Sequence, residues 1–490
     1  MFNGLKNLTI IGRIDILSIK KNYAYNTLNQ ILRILISIVS IPYISRVLGA
    51  TNIGIYSYTY TIASYFILFI ILGLDNYGNR EIAKVKNNKI LLNQVFTEIY
   101  LMQLIIGLIV VFTFYIYLIF FSDKYKIIFI IQSMYVISAI IDINWAMCGL
   151  EEFKFTSLRN CIINIINLIL ILLFVKSSNS LLLYTIIMSV GSIVNNITAW
   201  LYIRKHINFV KVKLNDIVKH LKPNLILFIP IVAVSLYKMM DKVMLGSMAN
   251  IEQVGFYENS EKIIKIPTVL ISSLGTVMLP HMTSIYFYEK NVDASKYLEK
   301  SLYIAMIIST SLCFGIMSIS KEFVPVFYGK GYEVCILLYL ILLPCCVFLA
   351  FSNVIRTQYL IPRGKDKQYI KAVIIGAVVN LMINFVGIPR FGAIGAAFGT
   401  LIAEATVCSC QAIDVRTELP IKKYILRCLP FITLGGTMFA ILYMVDFNTS
   451  NIVQIFIKVL LGILIYIVGL FGILNFTKIY GVDIQFLKRK

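Results

Sequence analysis

Fourteen stretches of about twenty mostly apolar residues run through this 490-residue chain, and they constrain its fold more than any motif does. A bilayer core is about 30 Å thick and a helix rises about 1.5 Å per residue, so roughly 20 apolar residues cross it once. The stretches lie near 23–45, 53–73, 95–121, 127–148, 159–175, 181–203, 223–246, 263–286, 301–320, 333–355, 370–389, 392–414, 428–445 and 452–476. Lipid offers no hydrogen bonds, so a spanning segment must satisfy its backbone internally, as a helix does. The sequence therefore predicts an all-α, polytopic membrane protein with 14 transmembrane helices. Composition excludes a water-soluble alternative. Only 14% of residues are charged, against about 25% in ordinary globular chains. The weakest stretch is 263–286, which holds Lys265, Pro267, Pro280 and His281.

The net charge of +21 would suit a nucleic-acid binder if it were concentrated in a soluble patch. Its placement argues for a membrane instead. With Arg159, Lys265 and Lys371, near span ends, counted in the adjoining connections, 32 of the 45 Lys and Arg fall on the side of the two termini, 9 on the other side and 4 within spans. Basic residues accumulate on the cytoplasmic side of membrane proteins, so the split predicts an N-in, C-in topology with both termini in the cytoplasm. No leader with a small-residue cleavage site is evident. Residues 1–21 are amphipathic, and the first span is expected to act as its own insertion signal. A long, strongly basic cytoplasmic connection is expected near 204–222, and the longest outside one near 247–262.

The basic connections divide the spans into six, six and two. The expected organisation is 1–215 as an N-terminal lobe with helices 1–6, and 216–415 as a C-terminal lobe with helices 7–12. Residues 416–490 would hold helices 13–14 and a cytoplasmic tail. A short internal repeat supports the division. Arg46-Val47-Leu48-Gly49 followed by Gly54-Ile55-Tyr56 in the first half matches Lys242-Val243-Met244-Leu245-Gly246 followed by Gly255-Phe256-Tyr257 in the second. Six spans lie between the copies, so they share one orientation and imply two pseudo-symmetric lobes.

Charged residues within spans are costly, by about 2.5–3.5 kcal/mol near mid-bilayer, and so mark interiors and pathways. Arg33 in the first span and Lys238, Asp241 and Lys242 in the seventh are the leading candidates. A cavity with surplus positive charge suits an anionic substrate. Asp241 and Glu404 are candidates for coupling to a proton or sodium ion. The bland alternatives are that Asp241 pairs with Lys242 or Lys238, and that Lys242 snorkels. Lys458, in the last span, also reads as snorkelling to the interface. Pro42 and Pro230 lie inside the first and seventh spans, where a bend would suit a gate. Gly392, Gly395 and Gly399 read as close helix packing. The nine cysteines are scattered, and Cys408 and Cys410 sit within a span, so neither a disulfide framework nor a metal site is expected. No cofactor is implied.

Several segments together resemble the polysaccharide transporter family of oligosaccharide flippases, within the superfamily that also holds multidrug and lipid exporters. They are Arg46-Val47-Leu48-Gly49 with Gly54-x-Tyr56-Ser57, Leu72-Gly73-Leu74-Asp75-Asn76-Tyr77-Gly78-Asn79-Arg80-Glu81, Asp241 to Gly246, Tyr257 to Lys262, Ser273 to Pro280, and Gln358 to Pro362. The resemblance covers nearly the whole chain in order. It implies a non-enzymatic flippase in the bacterial cytoplasmic (inner) membrane. Its substrate would be an undecaprenyl-diphosphate-linked oligosaccharide for O-antigen, capsule or another surface polymer. Transport would proceed by alternating access through a cationic cavity, to which Arg46 is added by its motif.

Arg80 and Glu81 would greet the diphosphate at the inner entrance or cap the second span. Glu261 would pair with Lys262 or Lys265 and lock the outward end. His281 stands where relatives are expected to carry Arg. The pathway implies a polysaccharide polymerase and an initiating glycosyltransferase as partners besides membrane lipids, and no nucleic acid. A lipid II flippase and a cation-coupled multidrug extruder are the transporter rivals. No external loop is long enough for a surface-sugar polymerase, and no phosphate-binding glycine loop suggests ATP use.

Overall fold

The computed structural model describes residues 2–121, 124–288 and 294–479. Within these, the side chains of residues 2–31, 33, 230, 233, 236–238, 288 and 476–479 lie outside the description. Only helices and their connections occur among the described residues. They begin with α1 (Phe2–Ile71), α2 (Leu74–Val85), α3 (Lys89–Phe121), α4 (Lys126–Ile140), α5 (Asn144–Gly149), α6 (Phe153–Phe174), α7 (Leu181–Ile203), α8 (Leu214–Val218) and α9 (Leu221–Met248). They continue with α10 (Ile251–Tyr288), α11 (Ala294–Ser318), α12 (Ser320–Tyr328), α13 (Val334–Leu342), α14 (Cys345–Ile355), α15 (Asp366–Phe391), α16 (Ala393–Val415), α17 (Ile421–Met444) and α18 (Asn451–Ile479).

Twelve helical stretches among the described residues are long and apolar enough to cross a membrane. The chain is a multi-pass membrane protein. Two differences separate this number from the fourteen stretches of the sequence. The expected spans 23–45 and 53–73 run together in α1, with one break in helical geometry at Gly49 (φ 75°, ψ 167°). A loop had been expected there. One glycine suffices, because it alone enters this region without strain. Pro42 sits inside α1 without such a break. The second difference is α9, over the expected stretch 223–246, where several side chains lie outside the description.

Other boundaries shift for identifiable reasons. The expected outside loop at 247–262 is nearly all helix, since α10 begins at Ile251. Ion pairs of Glu258 with Lys262 (3.2 Å) and Glu261 with Lys265 (3.0 Å) join successive turns there. The same helix continues through Pro267 and Pro280, so the weakest expected span is part of a 38-residue helix. The expected span 127–148 is broken instead. Asp142 Oδ1 accepts hydrogen bonds from the Asn144 backbone N–H (2.8 Å) and side-chain amide (2.7 Å) and starts α5 anew. Pro344, which has no N–H to donate, separates α13 from α14. The long connection at 204–222 is interrupted by α8.

The chain divides into two compact units, Met1–Val232 and Ala233–Lys490. In the first, Trp145 is buried against Phe96, with ring centres 5.6 Å apart. Its indole N–H donates to Gln103 Oε1 at 2.9 Å, so the polar end of a buried aromatic is satisfied. In the second, α15 and α16 pack at very short range. A Cβ placed on Gly395 would lie 2.3 Å from the Gly387 carbonyl oxygen, and one on Gly399 would lie 2.1 Å from Asn384 Oδ1. Gly392 has another role. It makes the turn between the helices, with φ 55°.

Because the obstacle at Gly395 is backbone, it cannot rotate away. Gly395→Ala is expected to destabilise the protein by about 2 kcal/mol, within the range for overpacking. Thermal unfolding in detergent would measure this. An unchanged unfolding temperature would show that the two helices separate freely.

Candidate functional site

The most connected buried polar group in the second unit is Asp241, only 4% exposed. Its Oδ2 accepts hydrogen bonds from the Tyr257 hydroxyl (2.6 Å) and the Thr400 hydroxyl (2.7 Å). Its Oδ1 accepts one from the Asn384 amide (2.6 Å). Four helices thus converge on one carboxylate: α9 with Asp241, α10 with Tyr257, α15 with Asn384 and α16 with Thr400. The Asn384 amide also donates to Asn380 Oδ1 at 3.1 Å, one helical turn away. Both asparagines are fully buried. Their position beside Asp241 gives them an electrostatic role. Asn384 Oδ1 is buried with no hydrogen-bond partner.

Lys242 follows Asp241 by one residue, about 100° around the helix, and meets different partners. Its Nζ lies 2.5 Å from Glu258 and 2.7 Å from Glu261. Asp241 therefore does not pair with Lys242, and Lys242 does not snorkel; its side chain is 13% exposed. Glu261 pairs with Lys265 as expected and also with Lys242.

A cavity of about 380 Å³ adjoins these groups within the second unit. Asp241, Glu261, Lys265, Arg356, Glu404 and Gln411 contribute its charged and some of its polar walls. Thr400, Glu404 and Gln411 lie along α16 at intervals of four and seven, which brings them onto one helix face. Among the described residues no group of three or more His, Cys, Asp or Glu could hold a metal ion.

The remaining candidates are dispersed. Arg46 is exposed. Arg80 pairs with its neighbour Glu81 (3.2 Å) and lies 5.7 Å from the Tyr77 ring centre, while Glu81 also takes Lys84 at 2.8 Å. His281 is exposed and meets the Tyr297 ring edge-on at 5.2 Å. The side chains of Arg33, Lys238 and Pro230 lie outside the described residues. Lys458 corrects the sequence reading. It does not snorkel but is 2% exposed and bound to Glu322 at 2.6 Å. A carboxylate on a neighbouring helix holds the ammonium inside.

The sequence reading passed over two groups. Glu98 lies inside the third apolar stretch and is fully buried. It receives Lys219 (2.9 Å), His220 Nε2 (2.9 Å) and the Gln94 amide (2.9 Å), and the other ring nitrogen of His220 meets the Tyr77 hydroxyl at 2.6 Å. The signal was present, since an acid within a span is the same criterion that selects Asp241. Arg356 had been counted with a cytoplasmic loop, and only the tertiary structure places it on the cavity wall. In the connection after α16, Glu418 is held below the usual carboxylate range, first by its bond to Lys365 and then by the Tyr359 hydroxyl. This ties the connection before α15 to the one after α16.

The two copies of the internal repeat have diverged in chemistry. Tyr257 donates to Asp241, whereas Tyr56 shares a hydrogen bond with Tyr135 (2.9 Å) and packs edge-on against Tyr184 (4.9 Å). Five residues before the repeated glycine stands Asp241 in one copy and Ile44 in the other. At this position of the repeat, only the second copy carries an acid.

Comparison with known proteins places the chain in a family. A family model described as "Polysaccharide biosynthesis protein" matches residues 19–286, more than half of the chain. An Escherichia coli (strain K12) protein named as an O-antigen transporter is 23% identical over 82% of this chain and 98% of its own length. The capsular polysaccharide biosynthesis protein CapF of Staphylococcus aureus is 23% identical over 78% of this chain and 96% of its own. Among solved structures, the lipid II flippase MurJ superposes with a TM-score of 0.73 at 17% identity, covering 91% of this chain and 97% of that one. A multidrug resistance MATE family transporter of the MOP superfamily gives 0.58 at 16%, covering 80% and 98%. At these identities the two structures establish the fold and nothing finer.

Proposed function

The chain belongs to the polysaccharide biosynthesis protein family, and from that premise we propose that it is a flippase for lipid-linked oligosaccharides. The substrate class is an undecaprenyl-diphosphate-linked repeat unit, carried from the inner to the outer leaflet of the bacterial cytoplasmic membrane. Fourteen spans with both termini in the cytoplasm is the topology that goes with this reading. The two halves of α1 and α9 would supply the spans beyond the twelve. The single observation that carries the transport reading is the buried carboxylate hub at Asp241, shared by four helices. A buried acid within a span is costly even when hydrogen-bonded, and such residues mark pathways and switches. The names of the E. coli and S. aureus relatives support the substrate class.

In this mechanism Arg33, Lys238 and Arg46 neutralise the diphosphate by alternating access, and Arg80 and Glu81 sit at its entrance. Asp241 exchanges its bonds with Tyr257, Thr400 and Asn384 for a coupling ion. A proton would remove the charge outright. A sodium ion would find the carboxylate, the Thr400 hydroxyl and the amide oxygens of Asn380 and Asn384, and the orphaned Asn384 Oδ1 fits that donor set. Glu404 is the second coupling candidate. Lys242, held by Glu258 and Glu261, acts as a gate that changes partners, assisted by bending at Pro42 and Pro230. His281 leaves its position without a fixed positive charge. The polymerase and the initiating glycosyltransferase are proposed as partners through the shared lipid.

The test is translocation in sealed proteoliposomes bearing polyprenyl-diphosphate oligosaccharides, with imposed pH, sodium and voltage gradients. The expected result is protein-dependent exposure of the sugar in the opposite leaflet. Movement of lipid II alone, or of cationic drugs alone, would replace this reading with the corresponding rival.

A further inference from the structure

A short π-helical turn, Arg356–Leu360, follows α14 directly. Its wide bond runs from the Ile361 N–H to the Arg356 carbonyl at 2.9 Å. Such turns interrupt α-helices at some cost and are frequent at functional sites. The first residue of this one is Arg356, on the wall of the 380 Å³ cavity of the second unit.

The guanidinium is positioned with care. Its Nη2 donates to Asn353 Oδ1 at 2.7 Å, and Nη1 lies 3.4 Å from the Tyr369 hydroxyl. The Asn353 amide in turn donates to the Ile271 carbonyl of α10 at 3.1 Å. Gly275, one turn further along α10, makes the approach possible. A Cβ there would lie 2.8 Å from Asn353 Nδ2 and 2.9 Å from Thr357 Oγ1. Asn353 therefore ties two helices together and aims the arginine in the same act.

What the arrangement lacks is a counter-charge. Both partners of Arg356, Asn353 and Tyr369, are neutral, and no described carboxylate lies within ion-pair distance of it. Nε is buried and has no hydrogen-bond partner. The acids of the same cavity are engaged elsewhere: Asp241 by three donors, Glu261 by Lys242 and Lys265, and Glu404 by a contact of its own. A guanidinium presents five donors in a planar fork, suited to two oxygens of one anion. Here part of that fork is left unused in a cavity whose volume falls within the range of small-molecule sites, about 300–1,000 Å³.

We propose that Arg356 is an anion-binding residue, taking a phosphate or carboxylate group into the cavity of the C-terminal unit. Asn353 and Tyr369 serve as positioning residues. The assignment of that anion to the transported molecule rests on the flippase reading; the existence of the site does not. A phosphate would come from the polyprenyl diphosphate, and a carboxylate from an acidic sugar of the repeat unit. Both are recognised by the same fork geometry.

The test is binding, measured without transport on the full chain in uncharged nanodiscs. Calorimetry would titrate inorganic pyrophosphate, a short-chain prenyl diphosphate and glucuronate, with wild type beside Arg356→Gln and Arg356→Lys. Saturable wild-type binding of at least one probe is expected. Loss of the fork should weaken it about ten- to hundredfold in Arg356→Gln. Arg356→Lys should recover part of the affinity, because charge returns without the fork. Tyr369→Phe keeps the ring and removes one neighbour of the guanidinium; an effect of a few-fold is expected, and this variant tests the site should Arg356→Gln fail to fold. Tighter binding of the prenyl diphosphate or of glucuronate would identify which source supplies the anion. No binding of any probe to folded wild type, or equal binding to wild type and Arg356→Gln, would overturn the proposal. Binding that persists while translocation fails would sink the flippase reading and leave the site standing.

Discussion

Replacing Asp241 with Asn is expected to reduce gradient-driven translocation by about a hundredfold while leaving the protein folded in the membrane. The carboxylate accepts from Tyr257, Thr400 and Asn384. Asparagine keeps the shape but turns one acceptor into a donor, which then faces other donors. Losing a buried, hydrogen-bonded charge of this kind costs about 2–5 kcal/mol in the state that depends on it, and each 1.4 kcal/mol is tenfold in an equilibrium constant. The proteoliposome assay, with and without imposed gradients, reads the effect directly. Residual movement that no longer responds to a pH or sodium gradient would assign the coupling to Asp241. Full gradient response in the variant would remove Asp241 from the mechanism and turn attention to Glu404.

The largest effect on stability should come from a different buried pair. Lys458 of α18 and Glu322 of α12 meet at 2.6 Å, with side chains 1% and 9% exposed. Lys458→Met strands a buried carboxylate. Breaking such a pair from one side costs about 3–5 kcal/mol, whereas replacing both partners by apolar groups is often neutral or better. Lys458→Met is therefore expected to unfold at markedly lower temperature in detergent, and Lys458→Met combined with Glu322→Met to return close to wild type. Equal losses in the single and double variants would mean that the two side chains matter for their packing and not for their charges.

Legibility in the sequence followed the physics of each signal. Span positions were readable because about twenty apolar residues in a row have few alternatives. Asp241 and Lys242 were readable as intramembrane charges, but their partners were not. Neighbours on a helix point about 100° apart, so the choice between mutual pairing and separate networks belongs to the helices around them. Lys458 was misread for the same reason. Snorkelling and burial look alike until Glu322, 136 residues away in the chain, is seen beside it. The loop expected at 247–262 was only the gap between two apolar stretches, while Glu258, Glu261, Lys262 and Lys265 pair at a spacing of four residues along the helix α10.

By itself the sequence determined that this is an all-helical, multi-pass membrane protein of the polysaccharide biosynthesis family, with an acid at Asp241 that must be accommodated inside it. Hydrophobic length and in-chain motifs are local quantities, and a linear string carries them whole. The tertiary structure decided that Tyr257, Asn384 and Thr400 accommodate that acid, that Lys242 serves Glu258 and Glu261, and that Arg356 stands on a cavity wall without a counter-ion. Those outcomes depend on which helix faces meet. Residues far apart in the chain set that choice through close contacts such as Gly387 with Gly395 and Gly275 with Asn353.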